Sequence, residues 1–394
     1  MRKSFILLFA IILSGCVSKQ AVRPVPRRGM PEPDVRILLL KNPQRFTVSS
    51  DIGTRVYTGG KKGIFAGEIV VYTRPLKIKV HGNMVVKDAS FPVALVPVGG
   101  AGIYLNGRPY RGYIKLIKNG GDILVVNFVK MEDYIKGVVP REMGRLSPEL
   151  IEALKAQAVA ARSYAFNLLN REKPYDLVNT ETHQVYGSYD VSTPTTDSAV
   201  ELTQGEVLMY RGKVADARYS STCGGRTENN EEVWPGKPVP YLRSVYDGRF
   251  GEPFCRFSPH YEWQVIYNRD EFFNVVKKRI KQMFGKDVNR VKYIKVSGRT
   301  RSGRVKKVEI GTDKGKFTIE KDRIRSLFQY NGRSLKSILF TIRQKGNLII
   351  IDGKGYGHGV GMCQYGAIGM ARLGYNYKQI LRHYYRGTRV VKLW

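Results

Sequence analysis

Short apolar runs separated by glycine-containing turns dominate the chain from residue 35 to about residue 127. The runs are rich in Val, Ile, Thr and Tyr, a composition typical of β-strands. In chain order they read RILLL, RFTVS, EIVVYT, LKIKVHG, YIKLIKN and DILVVNFV. The pattern therefore predicts a strand-rich N-terminal region, which we place at 34–111, followed by a core domain that begins at residue 112.

A helical period replaces the strand pattern after residue 147. Ser147 can cap the N-terminus of a helix, and Pro148 suits the first helical position, where its missing N–H costs nothing. Apolar residues then recur three or four positions apart, at Leu150, Leu154, Ala158, Ala161, Ala165 and Leu168. This spacing predicts an alanine-rich helix at 148–170 with one face in the core.

Further helices and strands follow in an irregular order. We expect helices at 270–283 and 377–384, and strands at 207–210, 214–220, 291–296, 305–311, 317–319 and 348–351. Because the two kinds of element do not alternate regularly, the pattern indicates an α+β fold and not a doubly wound parallel sheet. We interpret 268–343 as an inserted α/β subdomain between a first core part, 112–267, and a C-terminal core block, 344–394.

The first residues read as an export signal. A short positive region precedes an apolar run at 5–13 that is too short to span a bilayer, and Leu-Ser-Gly follows just before Cys16. We interpret 1–16 as a lipoprotein signal peptide that leaves Cys16 acylated; the alternative is an ordinary signal peptide that contains a cysteine. The proline-rich, basic segment 17–33 would then tether the protein to a membrane, facing the periplasm or the outer surface of the cell envelope.

The chain is strongly basic, with 66 Lys and Arg against 33 Asp and Glu and a formal net charge of +33. The excess is heaviest at 277–345, and such a surface attracts polyanions. We expect no nucleic-acid partner, because no nucleic-acid module is recognisable and the export signal removes the opportunity. Acidic lipid headgroups, phosphate-bearing envelope polymers and the carboxylates of cell-wall peptides are better candidates. A basic surface without one dedicated partner is the alternative.

Glu142 is the first candidate for chemistry. We expect it in a tight turn ahead of the alanine-rich helix, among the apolar neighbours Val138, Val139, Pro140 and Met143. Desolvation in such a setting favours the protonated carboxyl and raises its pKa, as a general acid requires. The alternative is that Glu142 caps the following helix or pairs with Arg145. The nearest competing carboxylates, Glu132 and Asp133, lie in a polar run.

Four segments of the chain carry a family resemblance. They read YIKGVVPREMGRLSPELIEALKAQAVAARSYAFNLLN at 134–170, YDLVNTETHQVYGSY at 175–189, ARYSSTCGGRTENNEEVWPGKPVPYLRSVYD at 217–247, and GKGYGHGVGMCQYGAIGMARLGYNYKQILRHYYRGTRV at 353–390. In this order they resemble the sequence blocks of the family of stage II sporulation protein D and the amidase enhancer LytB. The resemblance covers most of the chain from about residue 112 to the C-terminus.

The resemblance implies a lytic enzyme that acts on peptidoglycan glycan strands already stripped of their peptides, with Glu142 as catalytic acid and base. A glycoside hydrolase generally needs two carboxylates, about 5 Å or about 6.5 to 9.5 Å apart. A lytic transglycosylase can use one, because the C6 hydroxyl of muramic acid closes on C1 and yields a 1,6-anhydro sugar without a cofactor. The alternative implied by LytB is a non-catalytic peptidoglycan-binding protein that enhances a separate cell-wall amidase.

Several polar residues of these blocks are candidates for substrate binding. They are Gln157 and Arg162 in AQAVAAR, Gln184 and Tyr186 in THQVYG, Ser220 ahead of the Gly-Gly pair, and His358 and Gln364 in GYGHGVGMCQYG. Arg162 could hold the lactyl carboxylate of muramic acid through two parallel hydrogen bonds. Its alternative role is to tie the helix to adjacent loops, and Tyr186 is equally suited to the core. We expect His358 to bind or orient the substrate and not to act as the base.

The cysteines allow two interpretations. Four are present, at Cys16, Cys223, Cys255 and Cys363. With Cys16 lipidated, three pairings of the others are possible, and we favour a disulfide between Cys223 and Cys255 that staples the intervening loop. A zinc site is the less favoured alternative, suggested because some relatives hold zinc near this block. Cys223, Cys255, His260 and His183 could supply its ligands, but no tight CxxC spacing supports it. Cys363 is expected to be a buried free thiol.

Overall fold

The computed structural model describes residues 27–86, 89–100, 102–180, 183–187 and 189–394. The predicted signal peptide with Cys16, and most of the predicted tether, lie outside these residues. The described residues form eight α-helices and twenty-six strands in seven sheets, which confirms the α+β fold class. No helix in this part of the chain is long and apolar enough to cross a membrane.

The helices agree with the sequence pattern where that pattern is periodic. They are α1 (Met131–Met143), α2 (Ile151–Leu168), α3 (Pro194–Glu201), α4 (Asn230–Val233), α5 (Arg269–Phe284), α6 (Arg323–Leu327), α7 (Gln364–Arg372) and α8 (Tyr377–Tyr384). The helix predicted at 148–170 is confirmed as α2, which a 3-10 turn at Pro148–Leu150 precedes. The helices predicted at 270–283 and 377–384 are confirmed as α5 and α8.

Two sheets, antiparallel except where the last strand named here pairs in parallel with the first, build the N-terminal part of the molecule. Their strands are β1 (Asp34–Lys41), β2 (Arg45–Ser50), β3 (Thr54–Thr58), β4 (Lys61–Phe65), β5 (Ile69–Thr73), β6 (Leu76–Val80), β7 (Asn83–Val86), β8 (Val93–Pro97), β9 (Ile103–Leu105), β10 (Arg108–Tyr110), β11 (Tyr113–Asn119) and β12 (Asp122–Lys130), joined by β13 (Leu177–Val178). The strand orders are β13-β1-β12-β11-β8-β3-β4 and β10-β9-β2-β5-β6-β7. Because β1 pairs with β12, the boundary predicted at residue 111 cuts through one sheet.

The end of the predicted tether is part of the folded domain. The backbone N–H of Met30 donates to the carbonyl of Leu393 (3.1 Å), and Oε1 of Glu32 accepts from the N–H of Glu132 (2.8 Å). The predicted end of the tether at residue 33 is therefore wrong, because the chain already packs against its own C-terminus at residue 30.

Helix α1 begins directly after β12, so Glu142 lies in the last turn of a helix and not in the predicted free turn. The pattern conceals this helix because Gly137 and Pro140 are poor helix formers. Packing explains the glycine, since a Cβ at Gly137 would lie 2.6 Å from the Tyr186 ring. The close approach lets the N–H of Gly187 donate to the carbonyl of Gly137 (3.0 Å), which brings the 183–187 segment against α1.

Helix α2 is the central scaffold of the core. Its buried side chains include six alanines, at positions 153, 156, 158, 160, 161 and 165. Such small side chains let other helices approach closely. Helices α1, α3, α7 and α8 all contact α2, as does a strand of the core described below. The structure therefore packs α1, which carries Glu142, and α7, which begins at Gln364, against the same helix.

A second hydrophobic cluster, distinct from the main core, runs from Trp263 to Ile351. The elements in this part of the chain are α5, α6 and the strands β19 (Glu262–Asn268), β20 (Val291–Arg299), β21 (Val305–Thr312), β22 (Gly315–Glu320), β23 (Phe340–Lys345) and β24 (Leu348–Lys354). We call 262–354 the inserted region. It is wider than the predicted insertion 268–343, because β19 and β24 pair with each other.

The remaining strands connect the two halves of the core. They are β14 (Glu206–Tyr210), β15 (Lys213–Val214), β16 (Tyr219–Ser220), β17 (Gly248–Arg249), β18 (Glu252–Pro253), β25 (Met362–Cys363) and β26 (Arg389–Lys392). The strand predicted at 214–220 is wrong in extent, because a turn between Asp216 and Arg218 separates β15 from β16. The other strands predicted after residue 200 are confirmed as β14, β20, β21, β22 and β24. Strand β16 pairs in parallel with β25, which sets Ser220 opposite Cys363.

Candidate functional site

Glu142 is half-buried, and its carboxylate is held from two other parts of the chain. Oε1 accepts from the backbone N–H of Val185 (3.1 Å), and Oε2 accepts from Nε2 of Gln364, the first residue of α7 (3.1 Å). Burial, and next the charge of Glu142, raise the pKa of the Tyr134 and Tyr219 hydroxyls. The carboxylate therefore has a fixed orientation beside buried aromatic side chains.

Glu142 opens into a cavity of about 530 Å³, which we call the Glu142 cleft. Four of the residues proposed for catalysis or substrate binding line it together, namely Glu142, Ser220, His358 and Gln364. The pairing of β16 with β25 explains this convergence, because it places Ser220 beside the start of α7. Oγ of Ser220 also accepts from the N–H of Gly359 (3.1 Å), so it holds the glycine-rich loop in place.

Cationic and aromatic side chains that the sequence reasoning missed form the walls of the cleft. The cations are Arg141, Arg218 and Arg325. The guanidinium of Arg218 lies over the rings of Tyr164 and Trp234, at 4.8 and 5.2 Å from their centroids. Trp234 packs in turn against His358, with 4.8 Å between ring centroids. Such walls suit a ligand that combines a carboxylate with an apolar face, as a sugar acid does.

A second carboxylate, Asp322, enters the cleft from the inserted region. Its side chain is 35% exposed, and Oδ2 lies 3.6 Å from Nη1 of Arg325. Asp322, Arg325, Trp234 and Tyr356 also line an adjoining cavity of about 1450 Å³, so the cleft continues as a groove along the inserted region. Asp322 therefore gives the cleft a second carboxylate, as a glycoside hydrolase would need.

Two neutral histidines line the cleft. Nδ1 of His358 accepts from the N–H of Val360 (3.0 Å), and burial, followed by the charges of nearby arginines, lowers the pKa of His358 to about 3. Nδ1 of His183 accepts from the N–H of Val178 (3.0 Å), and burial is the main cause that lowers its pKa. Neither imidazole holds a proton that it could donate as an acid at neutral pH, so both suit binding or orientation.

Arg162 does not reach the cleft, although the sequence suggested a substrate contact. It is fully buried, with Nη2 2.7 Å from Oε2 of Glu132 and Nε 3.1 Å from Oε1, and its Nη1 donates to the carbonyl of Glu206 (3.0 Å). The two parallel hydrogen bonds expected to a substrate carboxylate are made within the protein instead. Arg162 therefore ties α2 to neighbouring elements, which is its alternative role.

Gln157, Gln184 and Tyr186 are also buried and do not line the cleft. Nε2 of Gln184 donates to the hydroxyl of Tyr219 (2.8 Å), so Gln184 positions an aromatic side chain of the cleft wall. The hydroxyl of Tyr186 donates to Oδ1 of Asn127 (2.8 Å), as a core aromatic residue would. The amide of Gln157 has no hydrogen-bond partner among the described residues. Direct substrate contacts of these three residues are not supported.

The predicted disulfide is not formed. The three cysteines in the described part of the chain are free and buried. The Sγ atoms of Cys223 and Cys255 lie 3.7 Å apart, against about 2.0 Å in a disulfide. The proposed set of zinc ligands also needs correction, because His183 and His260 stand outside the buried group around these sulfur atoms, whereas Cys363 belongs to it.

Two family models match parts of the chain. One, described as stage II sporulation protein, matches residues 119–210, which contain α1, α2 and Glu142. The other, described as a domain of unknown function (DUF8618), matches residues 255–361 and so contains the whole inserted region.

Three relatives extend the similarity beyond these domains. The chain is 38% identical over 293 residues to an uncharacterized protein of Brachyspira hyodysenteriae, with 74% of each chain covered. It is 33% identical over 283 residues to stage II sporulation protein D of Bacillus amyloliquefaciens, which covers 67% of this chain and 75% of that protein. It is 33% identical over 287 residues to an amidase enhancer of Bacillus subtilis, which covers 64% of this chain and 40% of that protein.

Proposed function

The chain belongs to the stage II sporulation protein D family, and from that premise we propose that it cleaves the glycan strands of peptidoglycan as a lytic transglycosylase. The observation that carries the proposal is the Glu142 carboxylate, which Val185 and Gln364 orient in a cleft that continues as a groove. A groove can accommodate a polymer, and an oriented carboxyl group can exchange protons with it.

In the proposed reaction, protonated Glu142 donates its proton to the glycosidic oxygen while the bond from that oxygen to C1 of muramic acid breaks. The resulting carboxylate accepts the proton of the C6 hydroxyl, and O6 bonds to C1. The leaving strand carries a new hydroxyl, the muramic residue becomes a 1,6-anhydro sugar, and Glu142 is protonated again. Water is not consumed. The hydrogen bonds from Val185 and Gln364 would keep the carboxyl group oriented through both transfers.

We propose denuded glycan as the substrate. The lactyl group of muramic acid has a free carboxylate only after its peptide has been removed, and Arg141, Arg218 and Arg325 offer positive charge inside the cleft. Apolar faces of the sugar rings could pack against Trp234 and Tyr356. These arginines take the role that the sequence suggested for Arg162.

The exposed Arg141 provides a test of this substrate preference. Arg141→Gln should lower kcat/KM on denuded glycan roughly threefold to tenfold, because it removes one charged contact at an exposed position. Peptide-bearing strands, which lack the free lactyl carboxylate, should be affected less. Arg145→Gln is the matched control, since Arg145 is also exposed but does not line the cleft. Equal losses in both variants, or on both substrates, would contradict the assignment.

A non-catalytic role as an amidase enhancer is the second candidate. The similarity to the amidase enhancer of Bacillus subtilis and the net charge of +33, which suits binding to an acidic wall, favour it. Isolated cell-wall sacculi, incubated with the protein alone and with a purified amidase, separate the two functions. Release of glycan fragments by the protein alone supports cleavage. Binding without released sugar, together with a stimulated amidase, supports the enhancer, and failure to bind sacculi contradicts both.

The proposed place of action is the cell envelope. Acylation of Cys16 would anchor the protein to a membrane, and a folded domain that begins near Met30 would remain close to that surface. Peptidoglycan is then the polymer within reach of the groove, and a cell-wall amidase is the protein partner that the second candidate requires.

A further inference from the structure

A buried cluster of thiol and carboxyl groups lies beside the Glu142 cleft, and we call it the cysteine cluster. Its members are Cys223, Asp247, Cys255 and Cys363. One ligand atom from each lies within 4.8 Å of the others, and all four residues have no exposed surface. Burying several ionisable thiol and carboxyl groups together without a cation costs free energy. A buried set of this kind is therefore typical of a metal site.

We propose that the cysteine cluster binds one Zn²⁺ ion through three thiolates and one carboxylate. Zn–S bonds of about 2.3 Å in a tetrahedron place two sulfur ligands about 3.8 Å apart. The Sγ atoms of Cys223 and Cys255 are 3.7 Å apart, which matches this spacing. The ligand atoms of the whole set lie within 4.8 Å of one another, so a shift of at most about 1 Å would bring every pair to the tetrahedral spacing.

Neighbouring groups hold these ligands in orientation, as they do around structural zinc. The backbone N–H groups of Cys223 and Gly366 donate to Sγ of Cys363, at 3.2 and 3.3 Å. The hydroxyl of Tyr384 donates to Oδ1 of Asp247, which leaves Oδ2 facing the sulfur atoms. A Cβ at Gly366 would lie 2.4 Å from Oδ1 of Asp247, so the glycine is required for this approach.

The charge of the site is also partly compensated. Three thiolates and a carboxylate around a dication leave a net negative charge in the core. The fully buried Arg304 of the inserted region donates from Nη2 to the carbonyl of Cys223 (2.8 Å) and brings positive charge to the cluster. Binding of Zn²⁺ would displace the thiol protons to solvent, so no oxidant or reductant is needed.

The proposed zinc ion would be structural and would act on the cleft through the chain. Cys363 directly precedes Gln364, and Cys223 follows shortly after Ser220. An ion at the cluster would lock the start of α7 to the end of β16, and so position Gln364 against Glu142. The inference does not depend on glycan cleavage, because zinc content can be measured whether or not the protein is an enzyme.

The test is the metal content of the full chain, purified in detergent and measured by inductively coupled plasma mass spectrometry. We expect one zinc ion per chain. Cys255→Ser and Cys363→Ser should each lose it, whereas Cys16→Ser, which changes the cysteine outside the cluster, should retain it. A wild-type chain that contains no zinc and takes up none from added Zn²⁺ overturns the proposal.

Two measurements on the wild-type chain keep the proposal testable where the serine variants fail to fold. Removal of zinc by a chelator should lower Tm by several degrees, and added Zn²⁺ should restore it. Replacement by Co²⁺ should produce visible absorption from thiolate-bound cobalt. An unchanged Tm, absence of that absorption, or a disulfide between Cys223 and Cys255 found by mass spectrometry would each overturn the site.

Discussion

Glu142→Gln is expected to lower the rate of glycan cleavage about 10²- to 10⁴-fold, the range that proton transfer by one positioned side chain contributes. Glutamine matches glutamate in size and can still contact Val185 and Gln364, but it cannot deliver a proton to the glycosidic oxygen. The folded structure should therefore survive, with an unchanged Tm and circular dichroism spectrum. The measurement is the release of muramyl products from denuded glycan under conditions in which substrate is in excess.

Glu172→Gln is the matched control for this experiment. It makes the same chemical change at an exposed position after α2 and away from the cleft, so it should retain the wild-type rate. If Glu142→Gln retained that rate as well, Glu142 would not be the acid, and the enhancer role would become the better account of the chain.

Arg162→Met is expected to cost about 3 to 5 kcal/mol in the free energy of unfolding, because it leaves a largely buried carboxylate without its cation. Glu132 is the partner, with a side chain that is 13% exposed, and it also accepts from the N–H of Gly205 (3.0 Å) and from Nε1 of Trp394 (2.9 Å). The pair thus joins α1 and α2 to the C-terminus. Urea denaturation measures the loss.

Lys136→Met on α1 is the comparison for Arg162→Met. Nζ of Lys136 lies 2.7 Å from Oε1 of Glu201, whose side chain is 63% exposed, so loss of this pair should cost at most about 1 kcal/mol. If Arg162→Met were equally mild and instead weakened binding of denuded glycan, Arg162 would regain the substrate-binding role that the sequence suggested.

The elements that the sequence predicts well are those specified by local chemistry. Helix α8 was expected at 377–384 and has those bounds, because an amphipathic period coincides with a capping residue, Asn376. Helix α1 was not expected, because Gly137 and Pro140 disfavour a helix locally. Its stability depends on tertiary contacts such as that between Gly137 and the ring of Tyr186, which no local pattern reveals.

The residues proposed for the site also fall into two groups, those that lie in the cleft and those that are buried elsewhere. Glu142, Ser220, His358 and Gln364 converge in the cleft, as candidates for catalysis or substrate binding should. Gln157 and Arg162 were assigned to it because a polar side chain on an alanine-rich helix looks the same in sequence whether it faces a ligand or a buried partner. The partner of Arg162 comes from α1, a different helix.

The sequence could not indicate which residues of distant segments meet at a site. Asp322 and Arg325 lie in a polar stretch of the inserted region, and only the folding of that region onto the core brings them to Glu142. Asp247 and Cys363 join Cys223 and Cys255 for the same reason. No short spacing in the chain marks either group.

The measurement that tests the central claim most directly is the identity of the products formed from denuded glycan in ¹⁸O-labelled water. Transglycosylation by Glu142 predicts 1,6-anhydro-muramyl ends that contain no ¹⁸O, because O6 of the sugar, and not water, attacks C1. Asp322→Asn should leave these products unchanged in kind. Newly formed reducing ends in place of anhydro ends, lost in Asp322→Asn, would contradict the account and identify a hydrolase with two carboxylates.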